Sequence, residues 1–178
     1  MSLLDLLLLI VGVLLVLFMA TQRFIRALIM IFGVYLSTLI AALLYKPVAD
    51  RLSDLSRGAP NFLEGTIFII LLALMFIIYF FVMRASFPDT DLPKLKVVDN
   101  ILGGVVGVVV AALFMSAILS AVGWMVNTPW DNYNAYAALS ATYAGSAMRA
   151  ALLNVMYYYS SLFYPFFIEG FPPVLRPR

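Results

Sequence analysis

One apolar stretch decides the fold of this chain: Val97–Val126, which reads VVDNILGGVVGVVVAALFMSAILSAVGWMV. It is long enough to cross a membrane, and it holds the densest set of small residues in the sequence. Gly103, Gly107 and Ala111 recur at intervals of four residues. On a helix this spacing places small side chains on one face, where a second helix can approach closely. The stretch therefore predicts a central transmembrane helix.

The composition is that of a membrane protein. Of the 178 residues, 65% are hydrophobic and 11% are charged, and the mean hydropathy is +1.05, which is far more apolar than a soluble domain. The 11 basic and 9 acidic residues leave a net charge of +2, too small an excess to indicate a nucleic-acid partner. The lipid bilayer is the first partner that the sequence predicts.

Cysteine and histidine are both absent from the sequence. Their absence excludes disulfides, thiolate chemistry, imidazole ligation of metals or haem, and Ser/His or Cys/His catalytic pairs. No phosphate-binding loop and no nucleophile with its base is present. The sequence therefore predicts a protein that is not an enzyme, with no catalytic residue, no metal site and no cofactor.

Four apolar stretches reach the roughly 20 residues that cross about 30 Å of hydrocarbon: about Leu3–Ala20, Phe24–Tyr45, Phe62–Met83 and Ile101–Val126. The connection between the first two is only about Thr21–Arg23, which forces an antiparallel helical hairpin. The predicted fold is thus an all-α polytopic membrane protein with four transmembrane helices. Interfacial amphipathic helices are expected in addition, one of them in the segment after Lys46, where Pro47 is expected to end the second span.

The second span repeats the small-residue spacing of the fourth, with Gly33, Ser37 and Ala41 at intervals of four. The simplest packing brings these two grooves together at the centre of the bundle. The bulky third span is then left to face lipid or a partner. Internal packing is favoured because the second span offers a matching groove, and homodimerisation through the same stripe is the alternative.

The charged residues in or beside the spans are functional candidates, because exposing them to hydrocarbon is costly: Asp5, Arg23, Arg26, Glu64 and Asp99. Asp5 and Glu64 are expected in the first turn of their helices, close to water, where a negative charge complements the helix dipole. Asn61 and Glu64 also have the spacing of a capping box. A proton relay through either carboxylate is the alternative to these structural roles.

Asp99 stands just before the fourth predicted span. It is expected either to cap that helix or to pair with a basic residue of the short first loop, Arg23 or Arg26. We keep both interpretations open at the level of the sequence.

The sequence divides by character into a transmembrane domain, residues 1–130, and a C-terminal aromatic helix and tail, residues 131–178. An amphipathic helix at the interface is favoured for residues 146–164 over a fifth crossing, because Arg149, Asn154 and three consecutive tyrosines interrupt the apolar run. Its apolar stripe is expected to contain Met148, Leu152, Val155, Tyr159 and Leu162. The aromatic cluster is interpreted as a membrane-interface belt, and a pigment or quinone pocket is the alternative.

Three short features resemble the colicin V production protein (CvpA) family. The run from Val98-Asp99-Asn100 through Gly103 to Gly107 resembles the segment that leads into the last helix of that family. The opening MSLLDLLLLIVG, with an early aspartate, and the basic residues that precede Gly33 in the second span are also similar. The likeness extends over most of the chain, including the four spans and the trailing amphipathic segment.

The resemblance implies a multi-pass protein of the bacterial inner membrane, linked to colicin export and envelope homeostasis through assembly or a transport-accessory role. It also implies that both termini lie outside the cytoplasm and that Asp99 lies on the cytoplasmic side. A membrane-protein partner or a homo-oligomer is expected. The alternative function is that of a small accessory subunit of a larger photosynthetic or respiratory complex, and an intramembrane enzyme is the third interpretation.

Overall fold

The chain forms a bundle of long helices in the computed structural model, which describes residues 2–55, 58–87, 96–168 and 170–177, except the side chains of Arg23, Leu55 and Lys96. The α-helices are α1 (Leu3–Arg51), α2 (Pro60–Ser86), α3 (Lys96–Met125), α4 (Tyr133–Ala144) and α5 (Arg149–Ser161). α1 contains two apolar spans, α1a (Leu3–Gln22) and α1b (Phe24–Arg51). With α2 and α3 they make four helices of membrane-spanning length and apolarity, which confirms the predicted all-α membrane fold.

The two arms of α1 run in opposite directions. Leu4 and Leu8 of α1a share a core cluster with Leu119 and Val122 near the end of α3, whereas Phe24 lies beside Asp99 at the start of α3. Because α1a begins beside the C-terminal end of α3 and finishes beside its N-terminal end, the two helices are antiparallel.

The arm α1b then runs back along α2. Tyr45 packs its ring 6.1 Å from that of Phe68 in the first half of α2, and Gly33 lies against Tyr79 in the second half. The chain therefore reverses direction between Gln22 and Phe24, as the short first connection predicts, although the residues on both sides of the turn are helical.

The small residues of α1b and α3 are buried, but the two grooves do not fill each other. A Cβ placed at Gly107 would lie 2.7 Å from the Cβ of Met19 in α1a, and the Tyr79 ring of α2 covers Gly33. Each groove thus receives a side chain from another helix. The remaining members of the two stripes are also buried: Ser37, Ala41, Gly103 and Ala111.

The expectation that α2 turns its aromatic surface outward is wrong for most of that surface. Phe68, Phe76 and Phe80 are buried in the core, whereas Phe81 is exposed. These large rings occupy the space beside the glycines and alanines of the neighbouring helices, which is how a bundle with many small residues reaches a dense interior.

The C-terminal part of the chain packs into the bundle instead of lying beside it. α5 has 13 residues, so it is about 20 Å long at 1.5 Å per residue and too short for a fifth crossing. Its buried residues are Leu152, Met156, Tyr159 and Ser160. The predicted stripe is confirmed at Leu152 and Tyr159 and wrong at Leu162, which is exposed. Residues from both sides of the predicted 130/131 division share the same core clusters.

Pro47 does not end the second span. It lies inside α1, which continues to Arg51, and a short 3-10 turn follows at Ser53–Leu55. A proline removes one backbone N–H donor, but the other backbone hydrogen bonds and the packing of this helix let it continue past Pro47.

We expect Gly107→Ala to destabilise the protein by about 1–3 kcal/mol, because the new methyl group would overlap Met19 in a packed interior. The matched control is Gly104→Ala, where the added Cβ would lie 3.6 Å from Ala20, an ordinary contact. Thermal unfolding in detergent measures both variants. Equal stability of the two variants would contradict the close approach of α1a and α3 at Gly107.

Candidate functional site: two buried carboxylates

Asp5 is fully buried, with 0% of its surface exposed, and its carboxylate accepts hydrogen bonds from two parts of the chain. Within α1a the backbone N–H of Ser2 donates to Oδ2 over 2.9 Å, and the Ser2 hydroxyl accepts from the Asp5 N–H over 3.2 Å. From the C-terminal part, the Ser146 hydroxyl donates to Oδ1. The backbone N–H groups of Ala147 and Met148 donate to the same carboxylate over 3.1 Å and 3.3 Å.

Asp5 therefore caps α1 and holds the turn that leads into α5. With Ser2 it closes the capping box of α1, and it accepts the N–H groups of Ala147 and Met148, which come just before α5 begins at Arg149. No side chain caps α5 itself. The predicted place of Asp5 in the first turn of its helix is confirmed, and the segment at Ser146 covers its side chain.

Asp99 is the second buried carboxylate, with 1% of its surface exposed. It lies in the first turn of α3, but its Oδ1 accepts the backbone N–H of Phe24 over 2.9 Å. That N–H belongs to the start of α1b, directly after the chain reverses. Asp99 thus reaches the end of the first connection through the backbone of Phe24, and its pairing with Arg23 or Arg26 stays a prediction.

Of the two arginines of the first loop, the structure describes the side chain of Arg26 and not that of Arg23. Arg26 donates from Nε to the carbonyl of Phe87 over 3.1 Å, which ties the start of α1b to the end of α2. The contact joins the same two helices that Tyr79 joins deeper in the bundle.

Glu64 has a different role from the one its spacing indicates. α2 begins at Pro60 with Ala59 as its N-cap, and no side chain caps it. The Glu64 carboxylate accepts the indole N–H of Trp124 over 2.9 Å, and Asn61 donates to the hydroxyl of Thr128 over 2.9 Å. The predicted capping box is therefore wrong: both side chains link α2 to the end of α3 and the segment after it.

Hydroxyl groups of α5 and α3 hold the C-terminal part in place. Tyr159 is 3% exposed, and its hydroxyl contacts the Val34 carbonyl at 3.2 Å and the Thr38 hydroxyl at 2.9 Å. Burial raises the pKa of Tyr159, so the phenol stays a neutral donor. Ser120 donates to the carbonyl of Val174 over 2.8 Å, which fixes the tail against α3.

Tyr143 and Arg149 join the two short helices. The guanidinium of Arg149 lies 4.5 Å from the centre of the Tyr143 ring, and a Cβ at Gly123 would meet the Tyr143 hydroxyl at 2.6 Å. Burial raises the pKa of Tyr143, and the charge of Arg149 acts against that rise. The absence of a side chain at Gly123 thus lets α4 close over the end of α3.

The model of the colicin V production protein family matches residues 4–171. The chain belongs to this family. Comparisons with curated proteins and with solved structures give no match.

The family match covers both buried aspartates and almost all of the C-terminal part that Asp5 holds. Sequence reasoning found Asp5 and Asp99 as candidates, but it missed Ser146, Ser120 and Tyr159. A polar residue within an apolar helix was the available signal for Ser120, because such residues face the bundle interior. Nothing in the sequence pairs Asp5 with Ser146.

The hydrogen bonds of Asp5 and Asp99 serve to position helices. In the described part of the chain, no group of three or more Asp or Glu side chains is placed to hold a metal ion. The carboxylates of Asp5 and Asp99 both receive N–H groups of the backbone. A carboxylate used in this way fixes a helix end and its direction.

We expect Asp99→Ala to lower the free energy of unfolding by about 1–2 kcal/mol, because the Phe24 N–H loses its acceptor at a helix start. Asp99→Asn keeps an oxygen in the same place and should lose less than half of that. Thermal unfolding in detergent compares the two, with the exposed Asp50→Ala as control. Equal losses for alanine and asparagine would contradict the capping role and assign the effect to the charge.

Proposed function

We propose that this member of the colicin V production protein family acts in the bacterial inner membrane as a non-enzymatic assembly or transport-accessory protein, linked to colicin export and envelope homeostasis. The link to colicin V rests on the family match over residues 4–171. By the same likeness, both termini face the periplasm and Asp99 lies at the cytoplasmic side.

The observation that carries the non-enzymatic role is the use of the two buried carboxylates. A catalytic acid or base has to present its reactive oxygen to a substrate within hydrogen-bond reach. Asp5 instead receives bonds from Ser2, Ser146, Ala147 and Met148, and Asp99 receives one from Phe24. Both groups stabilise a scaffold, and a scaffold acts through the surfaces that it presents.

The surface that we assign to a membrane partner is the lateral groove between α1a and α2. Its volume is about 630 Å³, and its walls include Leu14, Phe18, Ala73 and Ile77. The most apolar windows of α1a and α2 are each 28% buried, against 67% for α3. These two helices therefore leave the most side-chain surface free for an apolar helix of a partner or of a second copy.

The test uses a bacterial strain that lacks its own family member and carries a colicin V plasmid. We expect the wild-type chain to restore secretion of colicin V, measured as the zone of inhibition on sensitive cells. Ala73→Trp fills the groove and should reduce secretion severalfold, whereas Leu74→Trp, at an exposed neighbouring position, should keep it. Immunoblots of the membrane fraction establish equal amounts of each variant.

If the strain secretes as much colicin V without the wild-type chain as with it, the link to colicin V is contradicted. Full activity of Ala73→Trp would contradict the groove as the contact surface. Purification in mild detergent distinguishes the proposed role from that of an accessory subunit. Co-purification of a stoichiometric respiratory or photosynthetic complex would support the accessory-subunit alternative and contradict the proposed role.

A further inference from the structure

Two cavities meet at Tyr158 of α5. One is an apolar cavity of about 730 Å³ between α1b and α5, and the other, the Arg176 cavity, is a smaller one of about 200 Å³ between α5 and the C-terminal tail. Tyr158 forms part of the wall of both, and 74% of its surface is exposed. The two cavities are therefore neighbours on the outer face of the bundle.

The apolar cavity has the dimensions and the lining of a site for a hydrocarbon chain. Its walls include Leu28, Phe32, Val155 and Leu162. Its volume lies within the roughly 300–1,000 Å³ that ligand sites of proteins occupy. It runs along α1b, so an acyl chain lying in it would be parallel to the surrounding lipid.

The Arg176 cavity carries a positive charge and several hydroxyl groups. Arg176, Tyr157, Ser161 and Tyr164 line it. Arg176 is exposed, and its Nη2 donates to the carbonyl of Phe171 over 3.2 Å, a bond that orients the guanidinium. A guanidinium has five N–H donors, and its fork geometry suits the oxygens of a phosphate group.

The position of Arg176 along the bundle suits a lipid headgroup. The carbonyl of Arg176 accepts a hydrogen bond from Ser120 over 3.3 Å, which places this residue near the end of α3. Leu113 lines the apolar cavity, and it lies seven residues earlier in α3, about 10 Å along the helix. The charged residue is thus nearer the end of α3 than this part of the apolar cavity.

We propose that these neighbouring cavities bind an anionic phospholipid, with its phosphate at Arg176 and one acyl chain between α1b and α5. Charge complementarity selects the anionic headgroup, because a zwitterionic headgroup brings its own cation to the guanidinium. This inference does not depend on the proposed link to colicin V. It assigns a lipid to the C-terminal part that Asp5 holds in place.

The test is native mass spectrometry of the full chain in detergent, titrated with dioleoyl phosphatidylglycerol or dioleoyl phosphatidylcholine. We expect the first phosphatidylglycerol to bind more tightly than phosphatidylcholine. Arg176→Gln should weaken phosphatidylglycerol binding by about tenfold, the effect of one lost charge-assisted bond, and Arg176→Lys should restore most of it. Arg84→Gln, at an exposed arginine of α2, should leave the dissociation constant unchanged.

Val155→Trp tests the apolar cavity independently of the charge. It should weaken both lipids, whereas Val105→Trp, at an exposed position of α3, should weaken neither. Equal affinity for both lipids, or no effect of Arg176→Gln, would overturn the proposal. Displacement of phosphatidylglycerol by inorganic phosphate, with no effect of Val155→Trp, would also overturn it by showing a site for a free anion.

Discussion

A backbone N–H group inside a membrane needs a partner, because the hydrocarbon offers none. A continuous helix meets this requirement by itself except at its ends. Among the described residues, two places where the chain changes direction lie within the protein: the reversal after Gln22, which leads into α1b, and the turn at Ser146, which leads into α5. A buried carboxylate accepts backbone N–H groups at each of them, Asp99 at Phe24 and Asp5 at Ala147 and Met148.

The two carboxylates also decide which elements are neighbours. Asp99 belongs to α3 and binds the start of α1b, so the first hairpin is tied to the most buried span. Asp5 belongs to α1a and binds the start of α5, so the beginning of the chain is tied to its C-terminal part. A buried charge is costly, and the N–H donors of Ser2, Ala147 and Met148 offset that cost for Asp5. The result is a C-terminal part that is an integral layer of the bundle.

The sequence predicts the spans and the reversal after Gln22 because both follow from local properties, the length of an apolar run and the shortness of a loop. It identifies Asp5 and Asp99 because carboxylates are rare in apolar runs. It does not identify their partners, since Asp5 and Ser146 are far apart in the chain and no local pattern joins them. The predicted capping box of Asn61 and Glu64 is wrong for a related reason. Glu64 bonds to Trp124 of another helix, and the local spacing of residues in the sequence does not show such a partner.

The most direct measurement is hydrogen exchange of the protein in nanodiscs, followed by mass spectrometry of the peptides that contain Ala147, Met148 and α5. If Asp5 holds this helix, the exchange of these N–H groups should rise about tenfold or more in Asp5→Ala, because local opening becomes easier. Peptides of α3 should not change, and the exposed Asp50→Ala should match the wild type. Identical protection of α5 in Asp5→Ala and wild type would contradict the account.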